Sequence, residues 1–142
     1  MKYLFDTDHL SILQRQTGPS YVALQARLAQ HPQNDFACSI ISFHEQVLGC
    51  NAYVSQARNS YEVVRGYDML AQVLRDFLDI PVLPFDAAAQ QLFEQWRAQR
   101  VRIQTMDLRI AACAASAGLT ILTRNARDFG KVPALSFEDW TH

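Results

Sequence analysis

Four carboxylates stand where an acid can do chemistry. Asp6 closes the apolar run Tyr3-Leu4-Phe5, and Glu45 falls in the first turn of a helix expected from Ser42. Asp107 begins a helix of small residues, and Asp128 lies just past the apolar run 119–123. They are far apart in the chain, so only folding can bring them together. If they converge, four like charges cannot share a low-dielectric pocket without a counter-cation. An all-oxygen donor set selects hard ions, so Mg2+ or Mn2+ is expected there rather than zinc or copper.

Each acid also has a local use. Ser42-x-x-Glu45 has the form of a capping box, in which Glu45 satisfies an orphan N–H. Asp107 in a first helical turn, with Thr105 as N-cap, would serve the helix dipole. Asn125-x-x-Asp128 could be a second capping arrangement, Asp8 could cap the first helix, and Asp6 could close a turn. Spacing alone leaves both readings open.

Other chemistries fit less well. Asp6-Thr7-Asp8 after an apolar strand has the D-x-D form of an aspartyl-phosphate phosphatase, with Asp6 as nucleophile and Asp8 as acid/base. That reading needs a later lysine with a paired acidic motif beyond it; Lys131 is the only lysine after Lys2, and no such motif follows. His44-Glu45 begins an HExxH, but Leu48 stands where the second histidine is required. His9, His31 and His142 lack a partner at ligand spacing, and His44 reads as a residue of the helix surface or one that supports the site from behind. Cys38, Cys50 and Cys113 are odd in number and show no CxxC, which argues against a disulfide framework or zinc site. They read as small buried apolar residues.

The elements that must position these residues follow from periodicity. Residues 2–6 read as a strand, 9–16 as a helix stopped by Gly18-Pro19, and Ser20 as the cap of a second helix reaching about Gln30. Residues 35–41 read as a strand leading directly into the helix from Ser42. Val63, Tyr67, Leu70, Val73 or Leu74 and Phe77 recur at three and four, one face of an amphipathic helix over 60–78. Strands are expected at 82–85, 119–123 and 134–137. Helices are expected from Asp86, where Ala89, Leu92, Phe93 and Trp96 form the apolar face, and over 107–117, with Gly118 as C-cap. Strands alternating with helices imply an α/β three-layer sandwich with a mainly parallel four- to five-stranded sheet. In such folds the site lies outside the carboxyl ends of the strands, where Asp6 and Thr123 to Asn125 fall.

At 142 residues the chain is expected to form one domain, 1–142, burying about 70% of the surface its unfolded chain exposes. Its 49% hydrophobic and 19% charged content excludes disorder or coiled coil as the dominant state. The longest apolar stretch, Ile110 to Ala115, is far short of the ~20 residues of a membrane span. Asp6 and Asp8 interrupt the place where a signal peptide needs an apolar run, so a cytoplasmic protein with no membrane association is expected. A net charge of −1 carries no global basic signature for nucleic acid. Among the 13 basic residues, however, only Lys2 and Lys131 are lysines, and arginine's planar fork suits phosphate.

Three stretches resemble the PIN-domain ribonucleases, and among them the VapC-type toxins of type II toxin–antitoxin operons: YLFDTDHLS (3–11), ISFHEQVLG (41–49) and MDLRIAACAASAGLTILTRNARDF (106–129). The trailing VPALSFEDW is similar to the family's last strand. The likeness implies a PIN-like fold and a Mg2+-dependent endoribonuclease, with Mn2+ a second suitable ion, acting on structured RNA such as tRNA or a ribosomal RNA loop. Asp6, Glu45 and Asp107 match the family's acidic triad and Asp128 its more variable fourth acid. Thr7, Asp8, Thr123 and Asn125 match supporting positions, with Asp8 standing where asparagine is frequent. Water attacking in line would leave 5′-phosphate and 3′-hydroxyl ends. Arg97, Arg100, Arg102, Arg109, Arg124 and Arg127 become candidates for phosphate contacts, from which Arg109 and Arg124 are singled out. The resemblance further implies a small DNA-binding antitoxin, a homodimer and a toxin–antitoxin hetero-oligomer. A degenerate, catalytically inactive protein-binding module is the alternative, and the presence of all four acids argues against it.

Overall fold

The structure, a computed structural model, describes residues 1–142. Its centre is a sheet of five strands, β1 (Tyr3–Phe5), β2 (Phe36–Ser39), β3 (Val82–Leu83), β4 (Thr120–Leu122) and β5 (Phe137–Glu138). Every pairing is parallel and the order is β3-β2-β1-β4-β5. Seven α-helices connect them: α1 (Thr7–Arg15), α2 (Pro19–Leu28), α3 (Ile40–Ser55), α4 (Ser60–Asp76), α5 (Ala87–Ala98), α6 (Thr105–Ser116) and α7 (Ala126–Phe129).

The three layers follow from the pleat, which sends successive side chains to opposite faces. Leu4, Ala37 and Ile121 enter one core with Phe93, Trp96, Leu108 and Ile110 of α5 and α6. Their chain neighbours Phe5, Phe36, Cys38 and Leu122 enter the other core with Leu10, Leu24, Val73 and Phe77. Both faces are therefore covered, as a parallel sheet requires. Trp140, fully buried, closes the second core, with the Arg27 guanidinium 4.6 Å from its ring centroid. Truncating so large a buried side chain to alanine costs about 3–5 kcal/mol. In α4, Gly66 lets α3 approach so closely that a Cβ there would run into the Val54 side chain. The three cysteines are buried and free, as their spacing suggests. No helix is long and apolar enough to cross a membrane.

The sheet is all parallel with five strands, so the expected architecture holds in its fuller form. Several boundaries move for local reasons. α2 starts at Pro19, with Gly18 as its cap residue rather than Ser20, because proline suits the first helical position. β2 stops at Ser39, and α3 starts at Ile40 rather than Ser42. There the Ser39 hydroxyl accepts from the Ser42 N–H at 3.2 Å and is the true N-cap. Asp6, not Asp8, caps α1, accepting from the Thr7 N–H at 2.8 Å. The last strand falls at 137–138 rather than 134–137.

Candidate active site

The strand order reverses direction at β1. The chain runs outward through β2 and β3, then crosses back to place β4 and β5 on the other side. Such a switch point leaves a crevice at the carboxyl ends of the strands. Asp6 follows β1 there and Thr123 follows β4, with the Asp6 N–H donating to the Leu122 carbonyl at 2.9 Å.

The β1–β4 seam is tightly wired. Asp6 is only 5% exposed. One of its oxygens accepts from the Thr7 N–H and the other from Thr123 Oγ1 at 2.7 Å. Thr123, fully buried, also accepts from the Asn125 N–H at 3.0 Å. A hydroxyl has one proton to give, so the 3.3 Å approach of Thr123 to Asp8 is secondary to its bond with Asp6. Asp8 is instead held by the Arg124 N–H at 2.9 Å and by His9 Nδ1 at 2.8 Å. His9 is fully buried, and its Nε2 accepts from the Trp140 N–H at 3.2 Å, which leaves Nδ1 to donate to Asp8. His9 thus links Asp8 to the C-terminal segment. Sequence reading missed it, because the only signal is its position directly after Asp8 on the buried side of α1.

On the next side, Glu45 lies one turn into α3. With Ser39 as the cap, Glu45 stands beyond capping-box reach, and its Oε1 accepts from Thr7 Oγ1 at 2.8 Å. Thr7 Oγ1 also lies 3.0 Å from Ser42 Oγ. The local-capping reading of Glu45 is thereby overturned, and its carboxylate is turned toward the site. Asp107 occupies the first turn of α6, whose cap position, Gln104, supplies no side-chain bond, so Thr105 is not the cap. In α7, Asn125 does cap, accepting from the Asp128 N–H at 3.4 Å and donating to Asp128 Oδ2 at 3.2 Å. Asp128 also lies 3.6 Å from Lys131 Nζ.

The acids feel one another across the crevice. Burial, then the Asp8 charge, raises Asp6 from 3.8 to about 7, against the opposing bonds from Thr123 and Thr7, and Asp107 adds a smaller push. Burial raises Asp107 to about 6, with Glu45, Asp128 and Asp8 each adding to it. No three His, Cys, Asp or Glu side chains already converge into an ion cage. The donor set nevertheless suits a hard divalent cation: it is all carboxylate oxygen, and its members repel one another until positive charge arrives.

Of the arginines singled out, Arg124 is exposed beside Asp8. Arg109 is half-buried, 5.5 Å from the Phe93 ring centroid, with Nη1 directed at the Met106 sulfur 3.8 Å away. His44 is exposed on α3, as expected.

The five-stranded all-parallel sheet with its seven helices matches the fold of VapC PIN-domain structures. No family model matches the chain, but individual relatives do. It is 31% identical to the tRNA(fMet)-specific endonuclease VapC of Shigella flexneri, over 99% of both chains. It is 27% identical to the protein of the same name from Salmonella typhimurium, over 99% of this chain and 98% of that one. In three dimensions it resembles a chain of the DNA-bound VapBC of Salmonella typhimurium, with a TM-score of 0.78 at 23% identity, covering 99% and 98% of the two chains. The chain belongs to the VapC family of PIN-domain toxins.

Proposed function

We propose that this protein is a divalent-cation-dependent endoribonuclease that cuts tRNA and is silenced by a cognate antitoxin. The observation that carries the reading is that carboxylates from separate elements lie within electrostatic reach of one another: burial and the charges of Asp8 and Asp107 raise Asp6, and burial and the charges of Glu45, Asp128 and Asp8 raise Asp107. The two relatives named as tRNA(fMet)-specific endonucleases support initiator tRNA as the first substrate to test.

These four carboxylates would hold Mg2+ or Mn2+, which supplies Lewis acidity at the phosphoryl oxygens and charge neutralisation at the leaving oxygen. The chain's own residues do the rest. Thr7 and Thr123 fix the rotamers of Glu45 and Asp6 through bonds of 2.8 and 2.7 Å, so the site is organised before substrate arrives. Asp107 accepts no hydrogen bond from the chain, which leaves its oxygens free to orient an attacking water. Water adds to phosphorus as the P–O3′ bond breaks; one water proton passes to a carboxylate, and the departing 3′ oxygen takes a proton from solvent to leave as a hydroxyl.

The partner reading rests on a different face. Tyr61, Val64, Tyr67 and Leu74 of α4 are exposed, at 58–71%, an apolar stripe suited to an antitoxin segment or a second copy of this chain. Solved structures of the same fold include a member of the VapBC family of toxin–antitoxin systems from Mycobacterium tuberculosis and a toxin–antitoxin complex from Klebsiella pneumoniae.

The test uses partner-free protein and initiator tRNA in Mg2+, with EDTA and Asp6→Asn arms, and maps the ends produced. Discrete cuts with 5′-phosphate and 3′-hydroxyl ends that need both the metal and Asp6 are expected. Cyclic-phosphate ends, or cutting that survives EDTA, would overturn the mechanism.

A further inference from the structure

Seven of the 13 basic residues fall between positions 97 and 131, and the fold gathers four of them beside the acidic crevice. A cavity of about 510 Å3 opens directly onto Asp128 and is walled by Arg97, Arg102 and Thr105. A second, of about 480 Å3, shares Val101 and Arg102 with the first and adds Arg100 and Lys131. Together they make one trough that starts at Asp128 and runs outward between the α5–α6 loop and the segment after α7. Arg97, Arg100, Arg102 and Lys131 are all exposed along it. Within the trough Lys131 lies 3.6 Å from Asp128. Arg97, Arg100 and Arg102 have no carboxylate within ion-pair distance. Arg97 instead rests 5.6 Å from the Phe93 ring centroid, which steadies the guanidinium without neutralising it.

The end of α5 adds an independent observation. Arg100 has φ 62° and donates its N–H to the Arg97 carbonyl, while the Val101 N–H reaches the Trp96 carbonyl, both at 3.0 Å. This is the Schellman ending that α6 also uses, but α6 places Gly118 at the left-handed residue. The left-handed residue here is an arginine, as it is a glutamine at the end of α1, where Gln16 has φ 56°.

Resting on the nuclease reading, we propose that this trough binds RNA phosphates flanking the cut bond. Arg97, Arg100 and Arg102 would be the main contacts, in place of the half-buried Arg109. Unpaired forks in an open channel suit a flexible polyanion, and the apolar α4 face does not.

The test measures anisotropy of fluorescein-labelled initiator tRNA in the uncleaving Asp6→Asn background with Mg2+, across a salt series. The pair Arg97→Gln and Arg102→Gln should weaken binding about tenfold and flatten the log–log salt slope by about 1.4, two contacts at about 0.7 each. Arg100→Gly should weaken binding about threefold while raising Tm, since glycine relieves the positive φ; that combination excludes misfolding as the cause. Arg75→Gln, on α4, should change nothing. In the Asp6-intact protein, the double variant should raise KM and leave kcat unaltered. Parental affinity and slope in folded Arg97/Arg102 and Arg100 variants would overturn the trough while cleavage by the unaltered chain keeps the nuclease reading. If that chain neither binds nor cuts RNA, both fall. Binding of DNA alone through the same arginines would also overturn the assignment.

Discussion

The two halves of the crevice hold their carboxylates in opposite ways. At the β1–β4 seam, Asp6 and Asp8 are fastened by Thr7, Thr123, His9 and the Arg124 N–H, all between 2.7 and 2.9 Å apart from the longer Thr123–Asp8 approach. Across from them Asp107 has no donor from the chain, and Asp128 has only Asn125 at 3.2 Å and Lys131 at 3.6 Å. The sheet builds one half outright. The other is left with spare lone pairs. A site that must hold a cation and still admit water and phosphate needs both, a fixed wall and a side with unspent acceptors.

The most severe break is to remove a carboxylate from either half. Asp6→Asn and Asp107→Asn should each lower cleavage by about 10³-fold, the several kcal/mol that charge stabilisation at phosphate supplies. The halves should differ in cation dependence: excess Mn2+ should recover more activity in Asp107→Asn, whose neighbours can readjust, than in Asp6→Asn. Equal recovery in a Mn2+ titration would contradict the fixed-wall picture.

Next in size is Thr123→Val, which keeps shape but removes the bond to Asp6 and the acceptor for Asn125 N–H. A loss of about 10- to 100-fold in apparent Mg2+ affinity is expected, read as the Mg2+ concentration for half-maximal rate. Unchanged Mg2+ dependence would show that the seam needs no such tether.

A smaller effect sharpens the electrostatic side. Asp6 titrates at about 7 folded against 3.8 as a free group, so through that window the folded state binds more protons than the unfolded one. Cation-free stability is then fully present below about pH 4 and is lost as pH rises toward 7. Asp6→Asn removes this term, so its Tm should match the parent near pH 4 and exceed it by about 10 °C near pH 7.5. A Tm difference independent of pH would refute the burial argument. Mg2+ should raise the parent's Tm more than the variant's.

The smallest test is Ser39→Ala, which removes the cap of α3 and should cost about 1 kcal/mol, or about 3 °C in Tm. With Ser42→Ala the loss should be smaller, since Ser42 gives no cap.

Much of this was legible beforehand, and the failures have a common cause. The Asp86 cap of α5 and the position of Asp6 after β1 are local signals, and both held. The α4 period gave the helix, but Val63 and Tyr67 of its expected apolar face are exposed while Val73 and Phe77 are buried. Ser39 and Ser42 are both competent caps three residues apart. The choice between them depends on where the chain leaves the sheet, which is set by the register of Phe36 on Tyr3. That choice decides whether Glu45 serves a helix end or the crevice. His9 was invisible for a similar reason: both its partners' meaning depends on Trp140, at the far end of the chain, folding back against β1.

The sequence by itself determined the alternation of strands and helices, the buried cysteines and which acids were worth watching, because periodicity and capping act over a few residues. Tertiary structure alone decided the strand order and the wiring of Asp8 to His9 and Arg124. It also decided that Arg109 packs on Phe93 while Arg97, Arg100 and Arg102 open onto a trough. Those outcomes turn on contacts between segments tens of residues apart, whose burial and mutual charge exist only once the sheet has closed.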